Sequence, residues 1–238
     1  KADGWVTMLS TEMDDKYLAK VLEQSIGGEV VAQNADQFKI IYTPFHGAGY
    51  RLVPEVLKRM GMKHVLTVPS QMEINGNFPT VKFPNPEFSQ AFDLGRMIAD
   101  KVGSDLIVAT DPDADRVGVM AKDKHGEFKC ITGNQMGALL LEYIATAFEN
   151  TGKMPAEPYA VKTIVTSELC SRICAAHGVH LYNVLTGFKF IGEVIKNHEI
   201  AGHGTFLLGF EESYGYLKGT YARDKDAVVA SLLICEMA

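Results

Sequence analysis

Apolar positions along the chain fall into short runs separated by longer amphipathic stretches. Residues 38–43 read as a strand, with β-branched Ile40 and Ile41 followed by Tyr42, and Pro44 closes it. Gly47 and Gly49 make a turn into a helix over 50–60, with Pro54 in its first turn. Residues 65–68 form the next strand. The stretch 78–88 holds Pro79, Pro84 and Pro86 and must be loop; a helix then runs from Pro86 to about Val102. A buried strand follows at 106–109. Strands at 117–120 and 128–131 pair across a Lys-His-Gly turn. The spacing turns helical over 134–148, and 151–158 is a connector. Beyond it come a strand at 160–165, a helix at 167–177, a strand at 179–184, a helix at 190–197, a strand at 206–209 and a helix at 226–237. Such alternation implies an α/β protein with largely parallel sheets. A boundary near Gly126 to Gly133 divides it into domains 1–128 and 129–238. Each is expected to be an α/β/α layer with a mixed, mostly parallel sheet.

The 238 residues suit two small domains or one large one. Lysine and arginine number 23 against 29 acids, a net charge of −6, so no basic excess exists to neutralise nucleic-acid phosphates. Four cysteines (Cys130, Cys170, Cys174, Cys235) are too few for a disulfide framework and fit a reducing compartment, so a cytoplasmic protein is expected. No apolar run approaches the roughly 20 residues of a membrane helix, and no basic-then-apolar signal opens the chain. The chain starts at Lys1 and ends inside a helical stretch, and it reads as an internal piece of something longer.

The strongest local chemistry is Asp111-Pro112-Asp113-Ala114-Asp115-Arg116, directly after the buried strand at 106–109. Three alternating carboxylates repel one another unless a cation neutralises them, and their oxygens are ligands that Mg²⁺ prefers. They converge only if the backbone curls. The bland alternative is a solvated acidic turn. An EF-hand loop is excluded, because Arg116 and Lys122 stand where it requires glycine and glutamate. Arg116 suits a phosphate beside the metal, or a salt bridge to one of the aspartates. A second constellation, residues 209–216, brings Glu211, Glu212 and Ser213 onto a strand-end loop. It suits hydrogen bonding to a polyol; a buried glutamate pair or an ordinary turn is the competing account. Cys170, Cys174 and His177 share a helix face but lack a fourth ligand at a familiar spacing, and read as a buried face. His46 reads as structural, and Gly47-Ala48-Gly49 lacks the third glycine of a dinucleotide fingerprint.

The acidic loop followed by Val117-Gly118-Val119 resembles the metal-binding loop of the α-D-phosphohexomutases. Glu211-Glu212-Ser213-Tyr214-Gly215 resembles that family's sugar-binding loop. Thr186-Gly187-Phe188-Lys189-Phe190 resembles its Thr-Gly-aromatic-Lys-Phe loop, and Arg223-Asp224-Lys225-Asp226 its Arg-x-Lys-Asp segment. His46 lies in a stretch similar to the family's Thr-Pro-x-His-Gly. Order and spacing match over about the whole chain. One departure is Pro112 and Ala114, where the family often has glycine.

The resemblance implies the second and third of four domains. The family's first domain carries a phosphorylated serine in a Ser-His context, and its fourth an Arg-x-Ser-Gly-Thr phosphate loop; neither motif occurs here. It further implies Mg²⁺ on Asp111, Asp113 and Asp115, with Arg116 on phosphate and Lys225 in proton transfer or charge stabilisation, although an exposed salt bridge would also account for Lys225. Glu211, Ser213, Thr186, Gly187, Lys189 and Arg223 are implied as substrate-binding, and Lys162 is a weaker phosphate candidate. The implied reaction interconverts glucose 1-phosphate and glucose 6-phosphate, with mannose phosphates also open. The partners are then the sugar phosphate and domains 1 and 4 of the same chain. Glu211-Glu212-Ser213 leans toward phosphoglucomutase, and Phe210 resembles the branch that also includes phosphopentomutases and dual glucose/mannose enzymes; the alternatives are a phosphopentomutase of the same family, a metal- and sugar-binding module without chemistry, and a phosphohydrolase. By itself the piece is expected to be inactive.

Overall fold

The computed structural model describes residues 4–238. Two helices that the hydropathic pattern does not single out come first, α1 (Thr11–Leu22) and α2 (Gly28–Asn34). Then follow β1 (Lys39–Thr43), α3 (Gly49–Met60), β2 (His64–Thr67), α4 (Asp93–Val102), β3 (Leu106–Thr110), β4 (Val117–Lys122) and β5 (Phe128–Ile131). The second half holds α5 (Gly133–Asn150), β6 (Pro158–Thr163), α6 (Leu169–Ala176), β7 (His180–Val184), α7 (Phe188–Ala201), β8 (Thr205–Phe210), β9 (Tyr216–Leu217) and α8 (Ala227–Met237).

Two mixed sheets result, ordered β2-β1-β3-β4-β5 and β7-β6-β8-β9. Strands β2, β1 and β3 run parallel, while β4 and β5 return antiparallel through a tight turn. The second sheet is parallel except for the short β9. The expected boundary at 128/129 thus falls within β5, whose ladder belongs to the first sheet. Helix α4 starts at Asp93 rather than near Pro86, because a 3-10 turn at Ser89–Phe92 occupies the approach.

Strand β3 is buried on both faces, hence its unbroken apolar run. Leu106 and Val108 face one core, and Ile107 and Ala109 face another built on Phe45, Phe92 and Ala99. Helix α8 is buried all round up to its last residue, Met237, as expected of a helix apolar on every side. It packs against α1 and α3 beside the first sheet and against α5 and β9 of the second half. One hydrophobic cluster therefore runs from Ile40 and Val108 through Leu232 and Leu233 to Leu140 and Leu208, joining the two halves. Asp226 caps α8 by accepting hydrogen bonds from the Val228 and Val229 amides at 2.8 and 3.2 Å. Glu236, at the other end, is buried and satisfied by the Ile26 amide at 2.9 Å, the Tyr143 hydroxyl at 2.7 Å and Ser25.

Candidate active site

The loops that carry the chemistry leave the carboxyl ends of β1, β3, β7 and β8, where open α/β sheets place their ligands. After β3 the chain curls as a loop of convergent ligands requires. Asp111 turns its own Oδ1 back to accept hydrogen bonds from the amides of Asp115 (3.1 Å) and Arg116 (2.9 Å). Ala114 supports the reversal with φ +60°, a left-handed conformation that costs an alanine about 1–2 kcal/mol. As a result carboxylate oxygens of Asp111, Asp113 and Asp115 lie within 4.8 Å of one another. The loop leans on the turn after β1, where the Ala48 amide donates to the Pro112 carbonyl at 2.7 Å. A side chain on Gly47 would sit 2.3 Å from the Pro112 Cα, so only glycine permits that approach.

Asp111 is 8% exposed. Burial pushes its carboxyl up to about 7, and the Asp115 and Asp113 charges add to the rise, while the Arg116 amide opposes it. A buried acid in a cluster of three oxygen donors is the environment that a hard divalent cation relieves, and the donor set fits Mg²⁺. One positive group already stands there: Lys225 Nζ lies 3.0 Å from Asp115 Oδ2 and 2.9 Å from Asp224. Burial acts to lower the Lys225 pKa, but the two carboxylates outweigh it and hold the ammonium above its ordinary value. Its stem lies against Gly215 and its head over the Phe188 ring at 5.6 Å.

Glu211, at the end of β8, accepts a hydrogen bond from the Gly187 amide at 3.1 Å. Burial raises its carboxyl, and Lys225 and the Gly187 amide pull it back. Half-buried Ser213 is in the same turn, which Tyr214 closes at φ +70°. The two loops touch: Arg116 pairs with Gly215 in an antiparallel bridge, and the Val117 amide donates to the Tyr214 carbonyl at 3.1 Å. Among the described residues Arg116 has only loose ion pairs, 3.7 Å to Glu87 and 3.8 Å to Asp115, which leaves its planar fork available to an incoming anion.

The structure thus gathers Asp111, Asp113, Asp115, Arg116, Glu211, Gly187 and Lys225. Thr186 and Lys189 are exposed on the rim, with Lys189 Nζ 5.0 Å from the Phe190 ring. Two candidates do not join. Arg223 pairs with Glu199 and donates to the Thr220 carbonyl at 2.5 Å. The Arg223 backbone lies against Gly192 in the second turn of α7, and its guanidinium runs on to Glu199 in the last turn. Lys162 is fully buried and spent on the Thr166 carbonyl (3.0 Å) and Glu168 (3.1 Å). Glu212 turns instead to the Thr163 hydroxyl at 2.9 Å. His46 is structural, holding the Glu73 carbonyl and the Thr80 hydroxyl at 2.9 and 2.8 Å. Cys170 and Cys174 are buried apolar helix positions, and burial raises both thiols. Two features of the site are not apparent from the motifs: Glu87 beside Arg116 and the Gly47–Pro112 contact. Glu87 carried no local signal; the paired glycines at 47 and 49 did.

Two α/β/α layers present an acidic triad and a carboxylate–hydroxyl loop to one another. Comparison with known proteins is in accord. Residues 15–126 match the family model described as phosphoglucomutase/phosphomannomutase, alpha/beta/alpha domain II, and residues 132–238 match domain III of the same family. The chain belongs to the phosphoglucomutase/phosphomannomutase family. It is 38% identical over 226 residues to a phosphoglucomutase of Staphylococcus saprophyticus, covering 95% of this chain and 40% of that protein. A phosphoglucomutase of Staphylococcus haemolyticus is 40% identical over 190 residues, 80% of this chain and 34% of that one. The chain therefore spans about two fifths or less of these relatives. In fold it is similar to a candidate phosphomannomutase of Thermus thermophilus, with TM-score 0.73, 22% identity and coverage of 96% of this chain and 47% of that one. A phosphoglucomutase/phosphomannomutase family protein of Burkholderia thailandensis gives TM-score 0.68 at 16% identity, over 94% of this chain and 43% of that one. Among the described residues no helix is long and apolar enough to cross a membrane.

Proposed function

We propose that this chain is the metal- and sugar-binding part of a phosphoglucomutase that interconverts glucose 1-phosphate and glucose 6-phosphate. The observation that carries the reading is the meeting of the acidic triad, Arg116, Lys225 and Glu211 across the contact between two strand-end loops. Asp111, Asp113 and Asp115 would hold Mg²⁺, which when bound supplies positive charge beside the phosphoryl oxygens. Phosphoryl transfer is chiefly positioning and charge stabilisation, and each residue here has a task of that kind. The open fork of Arg116 takes phosphate oxygens in a bidentate grip. Glu211, held by the Gly187 amide, accepts hydrogen bonds from sugar hydroxyls, and Ser213 donates or accepts beside it. A grip on a central diol serves both orientations that exchange between the 1- and 6-positions demands. The Lys225 ammonium, next to both loops, stabilises negative charge or passes a proton to the sugar oxygen.

The phosphoryl donor in this reading is a phosphoserine of a separate first domain, and a fourth domain anchors the distal phosphate. Neither motif occurs in these residues. The four free cysteines support a cytoplasmic setting. Calorimetric titration of the polypeptide with Mn²⁺ and then glucose 6-phosphate tests the assignment. Asp113→Ala should abolish metal binding, and Glu211→Ala should weaken sugar phosphate by about 10-fold or more while sparing the metal. Metal affinity unchanged in Asp113→Ala removes the metal assignment. Mg²⁺-dependent turnover of glucose 1-phosphate by the polypeptide alone refutes the phosphoserine reading.

A further inference from the structure

We infer that Tyr17, Asp226 and Tyr221 form a buried strut that fixes Lys225 and the acidic loop in register, acting as positioning residues for the site proposed above. The inference rests on that reading for its functional meaning, and on geometry for its existence.

Asp226 is 6% exposed, yet among the described residues its carboxylate has no basic partner. Among the described residues all of its donors are neutral. Tyr17 Oη, from the middle of α1, donates its one hydrogen in a bond shared by Oδ1 (2.8 Å) and Oδ2 (2.7 Å), and Tyr221 Oη donates at 2.7 Å. The two rings meet edge to face with centroids 6.1 Å apart. The Val228 and Val229 amides complete the shell. A buried carboxylate held this way is costly to displace, since each lost partner leaves an unsatisfied charge.

The backbone around Asp226 reaches both halves of the site. Its own amide donates to the Tyr216 carbonyl at 2.9 Å, just beyond the sugar loop. The next amide, Ala227, donates to the Ala114 carbonyl at 3.1 Å, between Asp113 and Asp115. The preceding residue is Lys225, whose Nζ meets Asp115. Three consecutive residues thus touch the strand that leaves the sugar loop, the acidic loop and an acidic side chain. The strut is anchored from outside: α1 is tied to α3 through Asp14–Arg51 at 2.7 Å and Asp15–Arg59 at 2.6 Å. Tyr17 therefore transmits the position of the outer helix layer to the tip of the acidic loop. Capping explains the Val228 and Val229 contacts, but it does not account for two tyrosines drawn from separate segments onto one carboxylate.

Tyr17→Phe, Tyr221→Phe and the double variant remove only the hydroxyls and keep the rings. Tyr143→Phe is the matched control, because it deletes a tyrosine hydroxyl on Glu236 at the opposite end of the same helix. Two readouts apply to the whole polypeptide. Amide hydrogen exchange should rise about tenfold or more at Ala227, Asp115 and Arg116 in the Tyr17 and Tyr221 variants, and stay unchanged there in Tyr143→Phe. Mn²⁺ affinity should fall about tenfold in the double variant and stay at the wild-type value in the control. If the single variants keep wild-type exchange in the acidic loop, or if the control raises it equally, the strut is refuted. A wild-type polypeptide that binds no Mn²⁺ would overturn the metal reading, and the exchange data would still decide the strut.

Discussion

Replacing Asp111 by asparagine separates the cost of the acidic triad from its use. Asparagine keeps the Oδ1 that accepts the Asp115 and Arg116 amides, so the loop retains its curl. What it removes is a buried charge facing two others. Holding an acid at about 7 that ionises at 3.8 when exposed costs the metal-free fold up to about 4 kcal/mol once the group is ionised in both states. The sign follows from proton binding: between pH 3.8 and about 7 the folded state holds the proton that the unfolded state has released. Stability of the metal-free wild type should therefore fall as pH rises through that window and level off above it. Solvent and loop relaxation return part of the cost, so Asp111→Asn should gain about 1–3 kcal/mol at pH 8 in chelator. For a chain of this length that is a rise in Tm of roughly 3–10 °C. The gain should shrink as pH is lowered and vanish near pH 4, while Mn²⁺ affinity is lost at every pH. Thermal melts from pH 4 to pH 8 with EDTA, repeated with excess Mn²⁺, make the measurement. A variant no more stable than wild type at pH 8, or one that still binds Mn²⁺ with wild-type affinity, refutes the reasoning.

Other consequences follow from the loop geometry. Gly47→Ala, with its Cβ against the Pro112 backbone, should cost about 1–3 kcal/mol and weaken Mn²⁺ binding; Gly28→Ala, whose new methyl meets nothing within 4 Å, should be neutral or stabilising in the same melts. Ala114→Gly relieves a left-handed alanine and should raise Tm by about 1–3 °C with metal affinity kept, so a fall of that size would show that the φ +60° conformation is not strained.

The alternation of apolar runs and amphipathic stretches contains the α/β class, most element positions and the four motif loops, because strand burial and turn chemistry are local properties. Family membership was also legible, since Asp111 to Arg116 and Glu211 to Gly215 are contiguous. Three things were decided only in three dimensions. Helix α1 buries little more than Leu18 and Val21, so its pattern is faint, and its role arises from Tyr17 reaching Asp226, 209 residues away. Arg223 carries a phosphate-binder's chemistry in a matching motif, but competition from Glu199 and nearby carbonyls turns it down the side of α7. Lys162, in β6, likewise finds its partners in the segment that follows its strand. A side chain's charge is a property of the sequence, whereas its direction depends on which acceptor the packed neighbours bring within reach. The acidic triad shows both parts. Its three carboxylates are written in one hexapeptide, yet their convergence depends on Gly47 admitting the Pro112 backbone and on α8 holding the Ala114 carbonyl from the other domain.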